Sequence, residues 1–280
     1  MIILKLLIAG GDLRFAWAAH IAAARGLDVK ALGLEKSWLS LPQGDFSAVR
    51  GADAVLAPNP WRTAFPGPFA AEPFSFSDML RAMKKDALLI LPDDIGAPGD
   101  APKHLCLFDD EDYVMKNACL TAEGAIHAAM SAVPFAVEKA QALVIGYGRI
   151  GRHLARLLIS LGSAVTAAAR RETSLEQARR DGATPCPMAA LAEKLPSCQL
   201  IFNTAPAEVL PPPLLKQISP TALLMDVASP PFGFSLEAAR GMGLHAVREN
   251  NLPGRYCPES AGEIVLDAAL KAARKGADNG

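Results

Sequence analysis

Short apolar runs alternate with Ala-rich or amphipathic stretches along most of the chain. The first run, Lys5–Ala9, is continuous and ends at a Gly-Gly-Asp turn, which is typical of a strand buried on both faces. The Ala-rich stretch Arg14–Arg25 predicts a helix that ends at Gly26. A chain with this alternation predicts a parallel sheet covered by helices on both faces.

The same rhythm predicts the remaining elements. In the first half we expect strands over residues 28–34, 54–58, 87–91 and 104–107, and a helix capped by Ser77 that runs to about Lys84. After residues 119–138, where Thr121–Gly124 predicts the start of a long helix, we expect strands over 142–145, 164–168, 200–203, 222–226 and 244–248, with helices over 150–161, 174–181, 212–218, 235–242 and about 260–275. Residues 58–76 carry five prolines and several aromatic residues, among them Phe65. This segment is either a functional loop or a packed surface loop.

Two domains are expected in a chain of 280 residues of which 51% are hydrophobic. The first comprises residues 1–120 and a C-terminal helix over 258–280. The second comprises residues 121–257. The predicted fold class is α/β, with two Rossmann-like doubly wound parallel-sheet domains and a C-terminal helix that returns to the first.

Composition narrows the classes of function. The formal net charge of −1 gives no general attraction to nucleic acid or to an anionic membrane. The five cysteines lack the spacing of a disulfide or zinc motif, and the five histidines are scattered, so no metal site is expected. The apolar N-terminus has no basic leader and no cleavage site, and we expect a soluble cytoplasmic protein.

A glycine-rich turn opens the second domain. Gly146-Tyr147-Gly148-Arg149-Ile150-Gly151 follows an apolar strand and begins a helix with apolar residues at helical spacing. In a Rossmann domain the first glycine makes the tight turn, the second lets the backbone reach a pyrophosphate, and the third lets helix and strand pack closely. The free N–H groups at the start of the helix then meet the anion.

The end of the next strand indicates which cofactor binds. An NAD site usually carries an Asp or Glu at this position, and its carboxylate accepts a hydrogen bond from the ribose 2′-hydroxyl. Here Arg170 and Arg171 follow three alanines, and Glu172 is expected to lie past the ribose. Because arginine pairs bidentately with phosphate, the sequence predicts NADP, although a solvated basic turn is the alternative.

Two further strand ends are expected to border the nicotinamide, since ligands of open α/β sheets bind at the carboxyl ends of the strands. The first carries Asn203, Thr204, Ala205 and Pro206. The second carries Asp226 and Ala228, and Asp226 is either a cofactor contact or a carboxylate that organises the turn.

A set of short motifs in order along the chain resembles the family of the dipicolinate synthase A subunit. These motifs are Gly10-Gly11-Asp12-x-Arg14, Thr121-Ala-Glu123-Gly124, the glycine-rich turn, Ala169-Arg170, Asn203-Thr204-x-Pro206, Asp226-x-Ala228-Ser229, Leu252-Pro253-Gly254 and Ser260-Ala261-Gly262. The layout is also similar to D-2-hydroxyacid dehydrogenases and S-adenosylhomocysteine hydrolases. The resemblance implies NADP-linked oxidation of a dihydrodipicolinate-type intermediate in spore formation, with help from a flavoprotein-like B subunit.

Three departures from the family pattern limit what the resemblance implies. Phe15 stands where the family usually has Gln, and Pro230 and Glu259 stand where it carries basic residues. Glu259 also occupies the place of the catalytic His in the Pro-His-x-Ala-Gly stretch of 2-hydroxyacid dehydrogenases. The alternatives are therefore another NADP-dependent dehydrogenase of that type, or a catalytically quiet NADP sensor or scaffold.

The substrate and the proton transfer suggest further candidates. A dicarboxylate calls for arginines, and Arg14, Arg62 and Arg255 are the candidates. Loss of a hydride leaves a proton for a base or for water. The candidate bases are Asp12, Glu123, His127 and Glu259.

Glu123 and His127 are four residues apart and share a helix face. The alternative for Glu123 is a carboxylate that favours the helix dipole, and the alternative for His127 is a packing residue. A homo-oligomer is expected from the fold.

Overall fold

The computed structural model describes residues 4–62, 66–98 and 101–278, with side chains up to residue 274. The chain divides into two compact units. Unit 1 comprises residues 1–117 and 253–280, and unit 2 comprises residues 118–252. Phe65 of the Pro/aromatic segment lies outside the described residues.

Unit 1 is built on a five-stranded parallel sheet with the order β2-β1-β3-β4-β5. Its strands are β1 (Leu6–Ala9), β2 (Val29–Leu32), β3 (Ala54–Leu56), β4 (Leu88–Leu91) and β5 (His104–Cys106). Its helices are α1 (Leu13–Ala24), α2 (Ser47–Gly51), α3 (Phe76–Ala82), the first part of α4 (Glu111–Ala132), most of α10 (Leu252–Tyr256), and α11 (Pro258–Asp278), with a 3₁₀ turn at Leu107–Asp109.

Both faces of this sheet are buried, as parallel strands require. Leu6 and Ile8 of β1 point to a core that α1 and α11 cover. Leu7 and Ala9 point to the opposite core, which contains Val49 of α2 and residues of α3. The packing of α11 on α1 confirms the expected return of the C-terminal helix to the first part of the chain.

Unit 2 is built on a six-stranded parallel sheet with the order β11-β10-β9-β6-β7-β8. Its strands are β6 (Gln141–Ile145), β7 (Ala164–Ala169), β8 (Thr184–Pro187), β9 (Leu200–Asn203), β10 (Leu223–Asp226) and β11 (His245–Arg248). Its helices are the rest of α4, then α5 (Arg149–Ser160), α6 (Glu172–Arg180), α7 (Leu191–Lys194), α8 (Pro212–Leu215) and α9 (Leu236–Gly241), with 3₁₀ turns at Met188–Ala190 and Leu195–Ser197. The direction of winding reverses between β6 and β9, which is where a doubly wound sheet binds its ligand.

The two parallel-sheet units confirm the predicted fold class. Two local expectations were wrong, and one strand was missed. Ser75, not Ser77, caps α3, since its side chain accepts from the Ser77 backbone N–H. Strand β8 went unpredicted because its sequence is Thr-Pro-Cys-Pro, and prolines are tolerated there because β8 is at the edge of the sheet.

The second wrong expectation concerns helix α4, which begins at Glu111 rather than near Thr121 and ends at Ala132 rather than Glu138. Thr121 is buried within the helix and does not cap it. A glycine is needed at position 124 within the helix, because a Cβ there would lie only 2.9 Å from the Cβ of Leu252. The helix stops just before Pro134, whose ring disfavours a helical conformation in the preceding residue.

The described part of the Pro/aromatic segment packs against the core of unit 1. Phe69 contacts the core that α1 and α11 cover, and Phe74 contacts the opposite core. The Phe74 ring lies edge-on to those of Phe46 and Phe76. These contacts favour the packed-loop interpretation for residues 66–76. No helix in the described part of the chain has the length and apolar character needed to cross a membrane.

Candidate functional site

The glycine-rich turn joins β6 to α5 in a conformation that needs two of its glycines for packing. Gly146 has φ +91°, and a Cβ there would lie 2.7 Å from Thr204 Oγ1. A Cβ on Gly151 would run into the carbonyl oxygen of Gly146. The Thr204 hydroxyl lies 3.1 Å from the carbonyl oxygens of both Ile145 and Gly146, so it ties the end of β9 to the turn.

Gly148 differs from the other two glycines because it faces open space. It is the N-cap of α5, and a Cβ built there meets no atom within 4 Å. The first N–H groups of a helix have no partner inside the helix. A phosphate can therefore approach these N–H groups closely, and the turn fits the pyrophosphate of a dinucleotide.

A cavity of about 810 Å³ lies beside this turn. It spans the ends of β6, β7 and β9, and its size falls in the usual range for small-molecule sites, roughly 300–1,000 Å³. Its lining consists of Ile145, Gly146, Tyr147, Gly148, Ala168, Ala169, Arg170, Arg171, Ser174, Met188, Thr204, Ala205, Pro206, Ala207, Glu208 and Val209.

Two exposed arginines lie on the rim of the cavity. Arg170 follows β7, and Arg171 is the N-cap of α6. In the described part of the chain neither arginine forms an ion pair with a carboxylate, and Ser174 lies half-buried one turn into the helix. Glu172, although close in sequence, does not line the cavity. The rim therefore offers positive charge and a hydroxyl to an anionic group.

Tyr147, the second residue of the turn, is held by a buried carboxylate. Its hydroxyl donates to Asp181 at 3.0 Å, and Arg152 Nε donates to the same carboxylate at 2.8 Å. Burial alone would raise the pKa of Asp181, but the hydrogen bonds from Arg152 and Tyr147 outweigh it and lower that pKa below its ordinary value. Burial and the Asp181 carboxylate raise the pKa of Tyr147. The phenol is therefore a fixed wall of the cavity rather than a proton donor to a ligand.

Asp226 has the contacts of a carboxylate that organises a turn. Its side chain is fully buried and accepts hydrogen bonds from Asn203 Nδ2 at 2.8 Å and from the backbone N–H groups of Ala228 and Gly233 at 3.2 and 3.0 Å. Arg248 lies 3.6 Å away. Of the two alternatives left open for Asp226, these contacts favour the second.

The cavity brings together part of the predicted cofactor set. Gly146, Tyr147, Gly148, Arg170, Arg171, Thr204, Ala205 and Pro206 line it, whereas Arg149, Ile150, Gly151, Asn203, Asp226 and Ala228 do not. Eight lining residues were not among the predicted cofactor contacts, namely Ile145, Ala168, Ala169, Ser174, Met188, Ala207, Glu208 and Val209. Ser174 could have been found from its place in the first turn after the arginine pair. Met188 follows β8, so its position carried no signal while that strand was missed.

Glu123 and His127 lie on α4 in unit 2, and both are exposed on the same face. Neither lines the dinucleotide cavity. The exposure of His127 does not fit the packing interpretation that was left open for it. A carboxylate and an imidazole four residues apart on an exposed face are groups of the kind that proton transfer needs.

Of the candidate residues of unit 1, Asp12 and Arg14 follow the carboxyl end of β1. Asp12 caps α1 and binds the guanidinium of Arg14 through both carboxylate oxygens, at 2.8–3.2 Å. Burial alone would lower the pKa of Arg14, but Asp12 raises it above its ordinary value. Arg14 thus serves as the counter-ion of Asp12, which leaves Asp12 poorly placed to act as a base.

The other two candidate arginines for substrate binding, Arg62 and Arg255, are more exposed. Arg62 Nη1 lies 3.7 Å from Asp93, and about half of its side chain is accessible. The guanidinium of Arg255 lies over the Tyr256 ring at 4.9 Å and donates to its hydroxyl. Glu259 lies in the first turn of α11.

Residues 116–228 match the family model of the NAD-binding domain of D-isomer-specific 2-hydroxyacid dehydrogenases. This match agrees with the strand order and the glycine-rich turn of unit 2. The chain carries a nicotinamide dinucleotide-binding domain of dehydrogenase type.

Comparison with known proteins confirms the resemblance stated from the sequence. Over 165 residues the chain is 30% identical to the A subunit of dipicolinate synthase from Bacillus subtilis (strain 168), and the aligned region covers 59% of this chain and 56% of that relative. The chain thus spans little more than half the length of the curated relative it matches.

Two solved structures share the fold over nearly the whole chain. That of the dipicolinate synthase A subunit from Bacillus halodurans superposes with a TM-score of 0.86 at 23% identity, over 98% of this chain and 99% of that one. The corresponding chain of dipicolinate synthase from Bacillus subtilis gives a TM-score of 0.85 at 23% identity, over 100% and 99%.

Proposed function

We propose that this chain is an NADP-dependent oxidoreductase that oxidises a dihydrodipicolinate-type intermediate to dipicolinate. The observation that supports NADP is the rim of the cavity, where Arg170 and Arg171 stand after the end of β7 and an acidic residue is absent from that position. The support for the substrate is the likeness to the A subunit of dipicolinate synthase. A cytoplasmic location and a role in sporulation are proposed from the same likeness.

In this proposal the chain's own residues hold and orient both reactants. The N–H groups at the start of α5 bind the pyrophosphate, and the arginine pair with Ser174 binds the 2′-phosphate. Bound NADP⁺ supplies the hydride acceptor. Arg14, Arg62 and Arg255 are the proposed partners of the two substrate carboxylates.

The reaction is a two-electron oxidation that makes the ring aromatic. A hydride leaves the reduced ring, and one proton is released to a base or to water. Glu123 and His127 are the proposed acceptors because both are exposed on one face of α4. Asp12 is the weakest of the candidates because both of its oxygens bind Arg14.

A second candidate function has support from the family model, which describes 2-hydroxyacid dehydrogenases. In that case the substrate is a 2-hydroxyacid and the product a 2-oxoacid. Glu259 stands where those enzymes carry the catalytic histidine, and a carboxylate differs from an imidazole in both charge and pKa. This substitution is why we favour the first proposal.

Turnover assays distinguish these functions. The protein is mixed with NADP⁺ and freshly generated dihydrodipicolinate-type intermediate, with and without a flavoprotein-like partner protein, and the absorbance of NADPH and of dipicolinate is followed. We expect equal amounts of both products, and a lower rate for Glu123→Gln. Turnover of a 2-hydroxyacid instead would favour the second function. Cofactor binding without turnover of either substrate would indicate an NADP sensor or scaffold.

A further inference from the structure

Three side chains of types that can bind a metal ion lie close together in unit 1, and none of them lines the dinucleotide cavity. Asp94, His104 and Cys106 each offer one ligand atom, and these atoms lie within 4.8 Å of one another. In the part of the chain that the structure describes, this is the one group of three His, Cys, Asp or Glu side chains that meets this distance.

The sheet itself brings the three residues together. His104 and Cys106 are two residues apart on strand β5, so their side chains point to the same face of the sheet. Strand β4 pairs with β5 so that Leu91 stands opposite Cys106. Asp94 follows Leu91 by three residues and therefore comes beside the end of β5, in a turn closed by the Ala97 N–H on the Asp94 carbonyl at 2.9 Å.

The loop that carries Asp94 is held by its neighbour Asp93. The Asp93 carboxylate accepts from Asn59 Nδ2 at 2.8 Å and from the backbone N–H of Ile95 at 3.1 Å. Asn59 is itself buried after β3 and also donates to the Ile95 carbonyl. Asp93 thus fixes the loop, while Asp94 lies 3.8 Å from His104 Nε2.

The imidazole of His104 is oriented as in a metal ligand. Its Nδ1 lies 2.8 Å from the carbonyl oxygen of Pro102. A carbonyl only accepts, so Nδ1 carries the proton and the lone pair of the neutral ring is on Nε2, which faces Asp94. Histidines that bind metals commonly donate their other N–H to a backbone carbonyl in this way. The Trp61 ring, 5.3 Å from the His104 ring, limits its rotation further.

The charges around the thiol favour a cation. The Cys106 thiol lies within electrostatic reach of the carboxylates of Asp94, Asp109 and Asp93. The same carboxylates create a negative potential that attracts a divalent ion, and the ion would in turn favour the thiolate.

We propose that Asp94, His104 and Cys106 bind a divalent transition-metal ion of the zinc type. Thiolate and imidazole ligands select such ions over Mg²⁺ and Ca²⁺. With metal–ligand distances of about 2.0–2.3 Å, tetrahedral ligand atoms lie roughly 3.3–3.8 Å apart, so side-chain shifts of about 1 Å close the site. Three protein ligands leave a fourth position for water or for an oxygen of a bound molecule.

Cobalt titration tests the proposal, since Co²⁺ takes zinc-type sites and reports thiolate ligands by a charge-transfer band in the near ultraviolet. The chelator-treated, reduced full-length protein is titrated with Co²⁺ without NADP or substrate, and Zn²⁺ is then added. We expect one equivalent of Co²⁺ to produce the band and Zn²⁺ to abolish it. The result is independent of the proposed oxidoreductase activity, because no turnover is measured.

Variants assign the ligands. Cys106→Ser removes the band, and His104→Ala and Asp94→Asn each weaken Co²⁺ binding at least tenfold. Cys119→Ser is the matched control, because Cys119 lies 3.3 Å from His153 Nε2, outside the proposed site, and its removal leaves the band unchanged. Circular dichroism checks that each variant is folded. A missing band in the unaltered protein, a band that persists in Cys106→Ser, or one lost in Cys119→Ser, overturns the assignment.

Discussion

Arg170 and Arg171 lie on the rim of the dinucleotide cavity without a protein counter-ion among the described residues. Surface arginines usually pair with carboxylates at little energetic gain. Two adjacent guanidinium groups without a carboxylate partner among the described residues differ from this usual arrangement, because each can bind a phosphate bidentately. The ribose 2′-phosphate is the group that distinguishes NADP from NAD at this point of a Rossmann domain.

Replacement of both arginines therefore separates the two cofactors. In Arg170→Ala/Arg171→Ala we expect the Kd for NADPH to rise at least tenfold, which is about 1.4 kcal/mol. We expect the Kd for NADH to change less than threefold, because in the proposed binding mode the arginines contact only the 2′-phosphate. Calorimetric titration of both cofactors measures this. Arg179→Ala/Arg180→Ala, at the far end of the same helix, is the control and leaves both affinities unchanged. Equal losses for NADH and NADPH would refute the assignment.

At the level of elements, the junction of β6 and α5 has two kinds of glycine. Gly151 lies against the Gly146 carbonyl and Thr204, so it sets the distance between helix and strand. Gly148 leaves room for the ligand, since a Cβ there would contact nothing within 4 Å. The same motif thus combines a requirement of the fold, at Gly151, with an open position at Gly148 where we propose that the pyrophosphate binds.

Single alanine substitutions distinguish these roles. We expect Gly151→Ala to lower the free energy of unfolding by about 1–3 kcal/mol, since an added Cβ forces the backbone apart. We expect Gly148→Ala to unfold at the same denaturant concentration as the unaltered protein, but to bind NADPH at least tenfold more weakly. Denaturant unfolding and calorimetry measure the two quantities. Normal NADPH affinity in Gly148→Ala would mean that the pyrophosphate binds elsewhere.

The accuracy with which the sequence predicts the bounds of strands and helices differs from one element to another. Strands that are buried on both faces, such as β1 and β6, show as apolar runs and were predicted to within one residue. Strand β8 did not show, because an edge position tolerates Pro185 and Pro187. Helix α4 was predicted about ten residues too short at its start. Thr121 and Gly124 resemble an N-terminal boundary, and only the Leu252 contact explains a glycine within the helix.

The site residues that are close together in sequence could be predicted, whereas those that only the fold brings together could not. The glycine-rich turn and the arginine pair are each local in sequence, so their chemistry could be predicted directly. The group of Asp94, His104 and Cys106 is local only in the sheet, because the alignment of β4 with β5 brings Asp94 to the other two. Chain spacing alone led to the expectation of no metal site. For Asp226 the sequence left two roles open, since the partners that favour the turn-organising role lie on β9 and on the loop after β10.

On the scale of the whole molecule, the chain builds two compact units rather than one, and each carries its own candidate chemistry. The C-terminal helix α11 completes the core of unit 1 by packing on α1. Gly262 lies at this contact, where a Cβ would come within 2.7 Å of the Arg14 carbonyl oxygen and 2.9 Å of the Ala18 nitrogen. The backbones of the two helices therefore approach each other at this glycine.

Gly262→Ala tests whether NADPH binding to unit 2 depends on the stability of unit 1. All three tryptophans of the chain, Trp17, Trp38 and Trp61, belong to unit 1, so their fluorescence reports on that unit, whereas NADPH binding reports on unit 2. We expect the fluorescence transition to move to a lower denaturant concentration, because the added methyl group forces α1 and α11 apart. The corresponding loss in the free energy of unfolding is about 1–3 kcal/mol.

In the absence of denaturant the same variant is expected to bind NADPH within twofold of the unaltered protein, since the cavity is lined by residues 145–209 of unit 2. Gly51→Ala in α2 is the control, because a Cβ there meets nothing within 4 Å, and it leaves both readouts unchanged. If Gly262→Ala lost NADPH affinity in proportion to its loss of stability, the dinucleotide site would depend on the packing of α11, and the chain would have to be treated as a single cooperative unit.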